Sequence, residues 1–322
     1  MKKLICALLS AAMVLSLTAC GPKTAPDGSA DAQSQTEAST VVFTDDLGRE
    51  VTLEAEPEKA AVLIGSFADV WCLAGGKDSL AAAAHDSWTQ FDLGLGEEVA
   101  DLGAIKEPNV ELLLASEPDF VLGSTKTAAN VELVDMLDKA GIPCAMFNVS
   151  SFEDYLRLLE ICTRLTGREE NYQTYGLDIR AQIDNAKKTV TGDSPEVLYV
   201  RATGSSCKVK NSEDTVLGEM LADLGCTNIA DSETGLLENL SMETILVSDP
   251  EHIFIVLQGS DPSRAQATLE STLLSNPAWN SLTAVKEGRV HFMDQKLYSL
   301  KPNAKWGEAY EDLAEILYPE AK

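Results

Sequence analysis

Residues 109–122, NVELLLASEPDFVL, are rewritten near the other end of the chain as residues 241–254, SMETILVSDPEHIF. Glu111, Leu114, Ser116 and Pro118 recur as Glu243, Leu246, Ser248 and Pro250, and several other exchanges are mild, such as Leu113 for Ile245 and Glu117 for Asp249. Each copy reads as a short helix that stops before a proline and leads directly into a buried strand. A second pair, FADVWCLAGGKDSL and LGEMLADLGCTNI, follows the same order of acidic helix, glycine and short strand. A chain that repeats helix-to-strand units in two halves is confined to few architectures, and two similar α/β lobes satisfy the pattern directly.

The rest of the chain fits that frame. Short apolar runs at 60–64, 80–84, 120–122 and 143–147 alternate with helical patterns at 67–74, 109–115 and 128–140. The alternation resumes with strands at 197–201, 252–257 and 289–293 and helices at 215–224, 242–247, 263–275 and 306–317. Buried strands separated by helices imply mainly parallel sheets flanked by helices. Ahead of them, VVFTDDLGREVTL reads as a hairpin with Gly48 in its turn. Between the halves, Gly167 ends one helix and Tyr172, Tyr175, Ile179, Ile183, Ala186 and Val190 draw a single apolar stripe. A helix over 168–190 is roughly 34 Å long, enough to join two lobes stiffly. The expected organisation is an N-terminal lobe over 41–166, a bridging helix over 167–192 and a C-terminal lobe over 193–322.

The N-terminus is expected to leave the mature protein. Lys2 and Lys3 precede an apolar run over residues 4–17, too short to span a bilayer as a mature helix. Leu17-Thr18-Ala19-Cys20 resembles the lipobox of bacterial lipoproteins, which implies removal of residues 1–19 and lipidation of Cys20. Residues 20–40 are poor in large apolar side chains and read as a flexible tether. The net charge of −26 makes nucleic acid and anionic lipid surfaces poor partners. Cys72, Cys144, Cys162, Cys207 and Cys226 remain beyond the tether. They form no CxxC and are odd in number, so neither a disulfide framework nor a zinc ribbon is expected. Whether any of them pair stays open.

Three phrases together carry a resemblance: DDLGREV at 45–51, EPDFVL at 117–122 and NPAWNSLTAVKEGRVHFM at 276–293. With the order of lipobox, hairpin, lobe, long helix and lobe, the chain resembles the helix-bridged substrate-binding proteins of ABC importers that handle iron–siderophore complexes, haem and cobalamin. The resemblance implies an extracytoplasmic monomer held to the membrane by its lipid. It implies capture of a small-molecule metal complex and delivery to a permease dimer with its ATPase subunits, with no cofactor. It also implies that Glu111 and Glu243 dock into arginine pockets of the permease. Each falls two residues after a plausible helix cap, Asn109 or Ser241.

Ligands in such sheets bind at the carboxyl ends of the strands. The loops there supply the candidate contacts Ser66, His85, Trp88, Lys126, Arg201, Lys208, Lys210, Tyr298, Lys301 and Trp306, with Lys296 and Lys305 nearby. Cations beside aromatics in an otherwise acidic chain suit a bulky, flat or anionic ligand, such as a ferric siderophore. Arg201 is placed first, because it directly follows a buried strand. Haem and corrinoids remain open on the same scaffold. A bare-metal site is not expected, since His85, His252 and His291 are the only histidines, His252 begins a strand and His291 lies inside one. Catalysis is not expected either: there is no GxSxG, HExxH or P-loop. A chelatase-like enzyme of related architecture is the alternative of a different class.

Overall fold

The structure, a computed structural model, describes residues 40–192 and 194–319, all within one compact unit. The expected signal segment, Cys20 and all but the last residue of the expected tether lie outside the described residues.

The first lobe carries a sheet of β3 (Ala60–Val62), β4 (Leu80–Ala83), β5 (Ala100–Asp101), β6 (Phe120–Ser124) and β7 (Cys144–Phe147), preceded by the hairpin of β1 (Val41–Thr44) and β2 (Glu50–Leu53). Its order is β5-β4-β3-β6-β7 and every pairing is parallel. The second lobe contains β8 (Glu196–Ala202), β9 (Cys207–Lys210), β10 (Thr227–Asn228), β11 (His252–Leu257) and β12 (Val290–Met293). The order is β10-β8-β11-β12, with β9 antiparallel against the carboxyl half of β8. Residues 207–210, expected as loop, therefore form a strand. The Thr203–Ser206 turn is closed by hydrogen bonds between those two residues, and it returns the chain along β8.

Strand alternation divides the interior into three cores. Ala61, Leu63, Val121 and Met146 face a core private to the first lobe, and Leu198, Val200, Ile253 and Ile255 face one private to the second. The intervening residues, among them Val62, Leu122, Phe147, Tyr199 and Phe254, share one continuous core across both lobes. The Phe152–Leu165 helix, the bridging helix and the Trp306–Leu317 helix fill it.

The bridging helix is shorter and less regular than its stripe implies. It runs Glu170–Tyr172, then a π-helical turn at Gln173–Leu177, then Asp178–Lys187. Ile179, Ile183 and Ala186 are buried as expected, while Tyr172, Tyr175 and Val190 are half-buried against the same core. Gly307 lets the bridging and last helices approach closely: a Cβ there would lie 2.0 Å from Gln182.

The DDLGR stretch is an anchor. Asp45, 3% exposed, accepts from the amides of Leu47, Arg49 and Met146 and pairs with Arg49 at 2.7 Å. Arg49 in turn donates to the Cys144 carbonyl, which fastens the hairpin to β7. All five described cysteines are free thiols.

Candidate functional site

In each sheet the chain moves outward from a central strand and then returns to its other side, so the loops leaving the two neighbours diverge. The divergence falls between β3 and β6 in the first lobe and between β8 and β11 in the second. Such switch points open crevices at the carboxyl ends of strands. Contacts between the lobes occur at these ends. Lys126 Nζ reaches Asp214 Oδ1 at 2.9 Å, and Gln295 Nε2 reaches Gln90 Oε1 at 3.3 Å.

The basic candidates converge there. Arg201 stands directly opposite Lys208 across β8 and β9, and Lys210 stands opposite Tyr199. Opposed residues share a sheet face, so all three cations occupy the cleft end of the shared-core face. Burial lowers the proton affinity of half-buried Lys210, and the charges of Arg201 and Lys208 lower it further. Lys301 arrives from the segment after β12. Burial likewise pushes its proton affinity down, Arg201 and Lys126 add to this, and Asp86 opposes it. Among the described residues Arg201, Lys208, Lys210 and Lys301 form no ion pair. Like charges placed opposite one another destabilise a sheet, so a cluster of this kind is chemically suited to an anion.

The remaining candidates behave differently. Ser66 is 2% exposed and its hydroxyl is enclosed, leaving its carbonyl as the group in use. Gly65 beside it is required by close approach, since a Cβ would lie 2.7 Å from the Ser87 amide. His85 is exposed and its Nδ1 lies 2.7 Å from Asp101 Oδ2. Trp88 is half-buried against the shared core and donates from Nε1 to the Leu95 carbonyl. Tyr298 and Trp306 are in the core, not on the cleft surface. Tyr298 is 2% exposed and donates to the Ala309 carbonyl; Trp306 is fully buried against Phe152, Tyr155 and Tyr310. Trp306 packs the last helix onto the first lobe, and Tyr298 ties the segment after β12 to that helix. A cavity of about 520 Å³ is lined by Lys296, Lys301, Lys305, Asp294 and Glu308 from the segment after β12 and by Asp69, Gln90 and Phe91 from the first lobe. Phe91, Asp86, Asp214 and Asn303 were not singled out by sequence. They follow from which loops the two sheets bring together.

Glu111 and Glu243 occupy equivalent places. Asn109 caps the Val110–Ala115 helix and Ser241 caps the Met242–Ser248 helix, each by accepting from the backbone amide three residues on. Leu113 and Ile245 are both fully buried. The repeats end alike, with Glu117 and Asp249 in left-handed conformation at φ 49° and 44°. Glu111 and Glu243 are exposed at helix starts on the carboxyl edge of their sheets, and neither makes an ion pair among the described residues.

His252 and His291 stack at the opposite edge of the second sheet, Nδ1 to Nε2 at 3.0 Å. Among the described residues no group of three or more His, Cys, Asp or Glu is placed to hold a metal ion, and no helix is long and apolar enough to cross a membrane.

A family profile described as "Periplasmic binding protein" matches residues 61–297. The chain is 24% identical over 319 residues to an uncharacterized ABC transporter substrate-binding lipoprotein, YvrC, of Bacillus subtilis, covering 98% of this chain and 96% of that one. It is 20% identical over 295 residues to the Fe(3+)-citrate-binding protein YfmC of the same organism, covering 91% and 90%. Among solved structures, Staphylococcus aureus SirA complexed with staphyloferrin B superposes with a TM-score of 0.67 at 21% identity, over 88% of this chain and 100% of that one.

Proposed function

This chain belongs to the periplasmic binding protein family, and on that premise we propose that it is the substrate-binding lipoprotein of an ABC importer, anchored outside the cell membrane through Cys20. Its ligand in this reading is an anionic iron complex, a ferric siderophore or ferric carboxylate, held in the interlobe cleft. The observation that carries the reading is the cation cluster of Arg201, Lys208, Lys210 and Lys301, without ion-pair partners among the described residues, at the carboxyl ends of the strands. In a chain with a net charge of −26, such cations gathered at the switch points call for an anionic partner. A ferric-citrate-binding relative and a staphyloferrin B complex of the same fold support the iron assignment.

Arg201 is assigned the leading role. Its planar guanidinium can hold a carboxylate or catecholate oxygen pair through two parallel bonds, whereas each lysine offers a point charge. Phe91 supplies apolar surface on the first-lobe side of the cavity. Glu111 and Glu243 are assigned to docking on the two permease subunits, one per lobe. Native mass spectrometry of the protein with ferric citrate, a catecholate ferric siderophore, haem and cobalamin tests the ligand class. Retention of an iron complex is the expected result; retention of haem or cobalamin alone would overturn it.

A further inference from the structure

The segment that follows β12 belongs to the second lobe by chain order but is fastened to the first. Gln295 reaches Gln90, and the Trp306 ring packs against Phe152 and Tyr155. Between them, Asn303 Nδ2 donates to the Ser66 carbonyl and to Asp69 Oδ2, each at 2.8 Å. Both acceptors lie in the first turns of the Gly65–Leu73 helix.

Asn303 holds this position against two penalties. Its φ is 51°, a left-handed conformation uncommon outside glycine. It is 1% exposed with Oδ1 unpartnered, and an unpaired buried acceptor is itself destabilising. Both are retained for a pair of hydrogen bonds that cross between the lobes. Two residues earlier on the same segment is Lys301, a partly buried ammonium that lines the cavity with Gln90 and Phe91 and feels the charges of Arg201, Asp86 and Lys126. A lysine on an untethered loop would turn toward water and away from Arg201.

We propose that Asn303 is a positioning residue: by pinning residues 299–305 to the Gly65–Leu73 helix, it fixes Lys301 to the first-lobe wall of the cleft. Lys301 then supplies the cation of that wall, Lys126 being paired with Asp214, and Arg201, Lys208 and Lys210 form the other. An anion entering between them would contact both walls. The consequence for binding rests on the functional reading above, but the pin itself does not.

The test has a ligand-free arm and a ligand arm. In the first, the lysines are ¹³C-dimethylated and Lys301 is followed by NMR titration, with Lys301→Arg providing the assignment. Asn303→Gly accepts the same backbone turn while removing both bonds, so it releases the pin without straining the loop. Lys301 should titrate below the ordinary lysine value in the parent and move up toward it in Asn303→Gly. An unchanged titration would overturn the pin. In the second arm, ferric citrate affinity is measured at low salt for the parent, Asn303→Gly, Lys301→Ala and the double variant. Each single change should weaken binding by a similar factor, about three- to tenfold, and the double variant should be no weaker than Lys301→Ala alone. Full additivity would show that Asn303 does not act through Lys301 and would also overturn the proposal. Failure of the parent to bind ferric citrate would count against the functional reading, with the titration arm still deciding the pin.

Discussion

Arg201 and Lys208 stand at one register position on neighbouring antiparallel strands, and neither has an ion-pair partner among the described residues. Opposed like charges cost a sheet roughly 0.2–1 kcal/mol. Lys208→Gln should therefore stabilise the ligand-free protein against urea by an amount in that range. The same change should weaken binding of an anionic ligand. A loss of stability in Lys208→Gln would show that the lysine is retained for packing.

The docking assignment separates capture from delivery. Glu111 and Glu243 are exposed and far in sequence from the cationic cluster, so reversing both charges leaves the cleft intact. The combined Glu111→Arg and Glu243→Arg variant should bind its ligand in solution like the parent and fail to support uptake in cells. Uptake at the parent's rate would remove these residues from the interface.

Lobe closure should be small. A single core runs through both lobes, and Trp306 bridges it by packing on Phe152 and Tyr155 of the first lobe and Tyr310 of its own helix. Trp306→Ala should destabilise the protein by about 3–5 kcal/mol, the usual range for truncating a fully buried aromatic. Solution scattering of free and loaded parent protein should show little change in radius of gyration. A large compaction on loading would contradict the shared core.

The stacked pair of buried His252 and half-buried His291 makes stability depend on pH. Burial, followed by the neighbouring charges of His291 and Arg289, pushes the His252 pKa down to about 4. Between that value and the ordinary 6.5 the unfolded chain binds the proton and the folded one does not. Stability is therefore full above about pH 6.5 and falls as the pH drops toward 4, by about 2–3 kcal/mol from this group. His252→Phe, which can keep the stack on Phe254, should flatten the pH dependence of urea unfolding over that window. An unchanged slope would place the effect elsewhere.

Much of the fold was legible because the strands alternate between two cores with period two, as in Ala61 and Leu63 against Ala60 and Val62. The internal repeat also located the two equivalent acids. What was misread came from treating composition as exposure. A helix over 306–317 was expected and is present, yet Trp306 was read as a cleft contact although Tyr310, Leu313 and Leu317 continue its buried face. That spacing was present in the sequence and marks Trp306 as core. Cys207–Lys210 looked like loop because its apolar residues are few, although a four-residue turn after β8 signals a hairpin. The π turn at Gln173–Leu177 left no such signal in the sequence.

The central claim is that an anionic iron complex is held by Arg201 and its neighbouring lysines. The most direct test is titration with ferric citrate, followed by tryptophan fluorescence, in low and high salt for the parent and for Arg201→Ala. Exposed charges are screened over about 10 Å at 0.1 M salt. The parent's affinity should therefore fall as salt rises, and Arg201→Ala should lose more affinity than any single lysine change. A salt-independent affinity that survives Arg201→Ala would contradict the account and point to a neutral or apolar ligand.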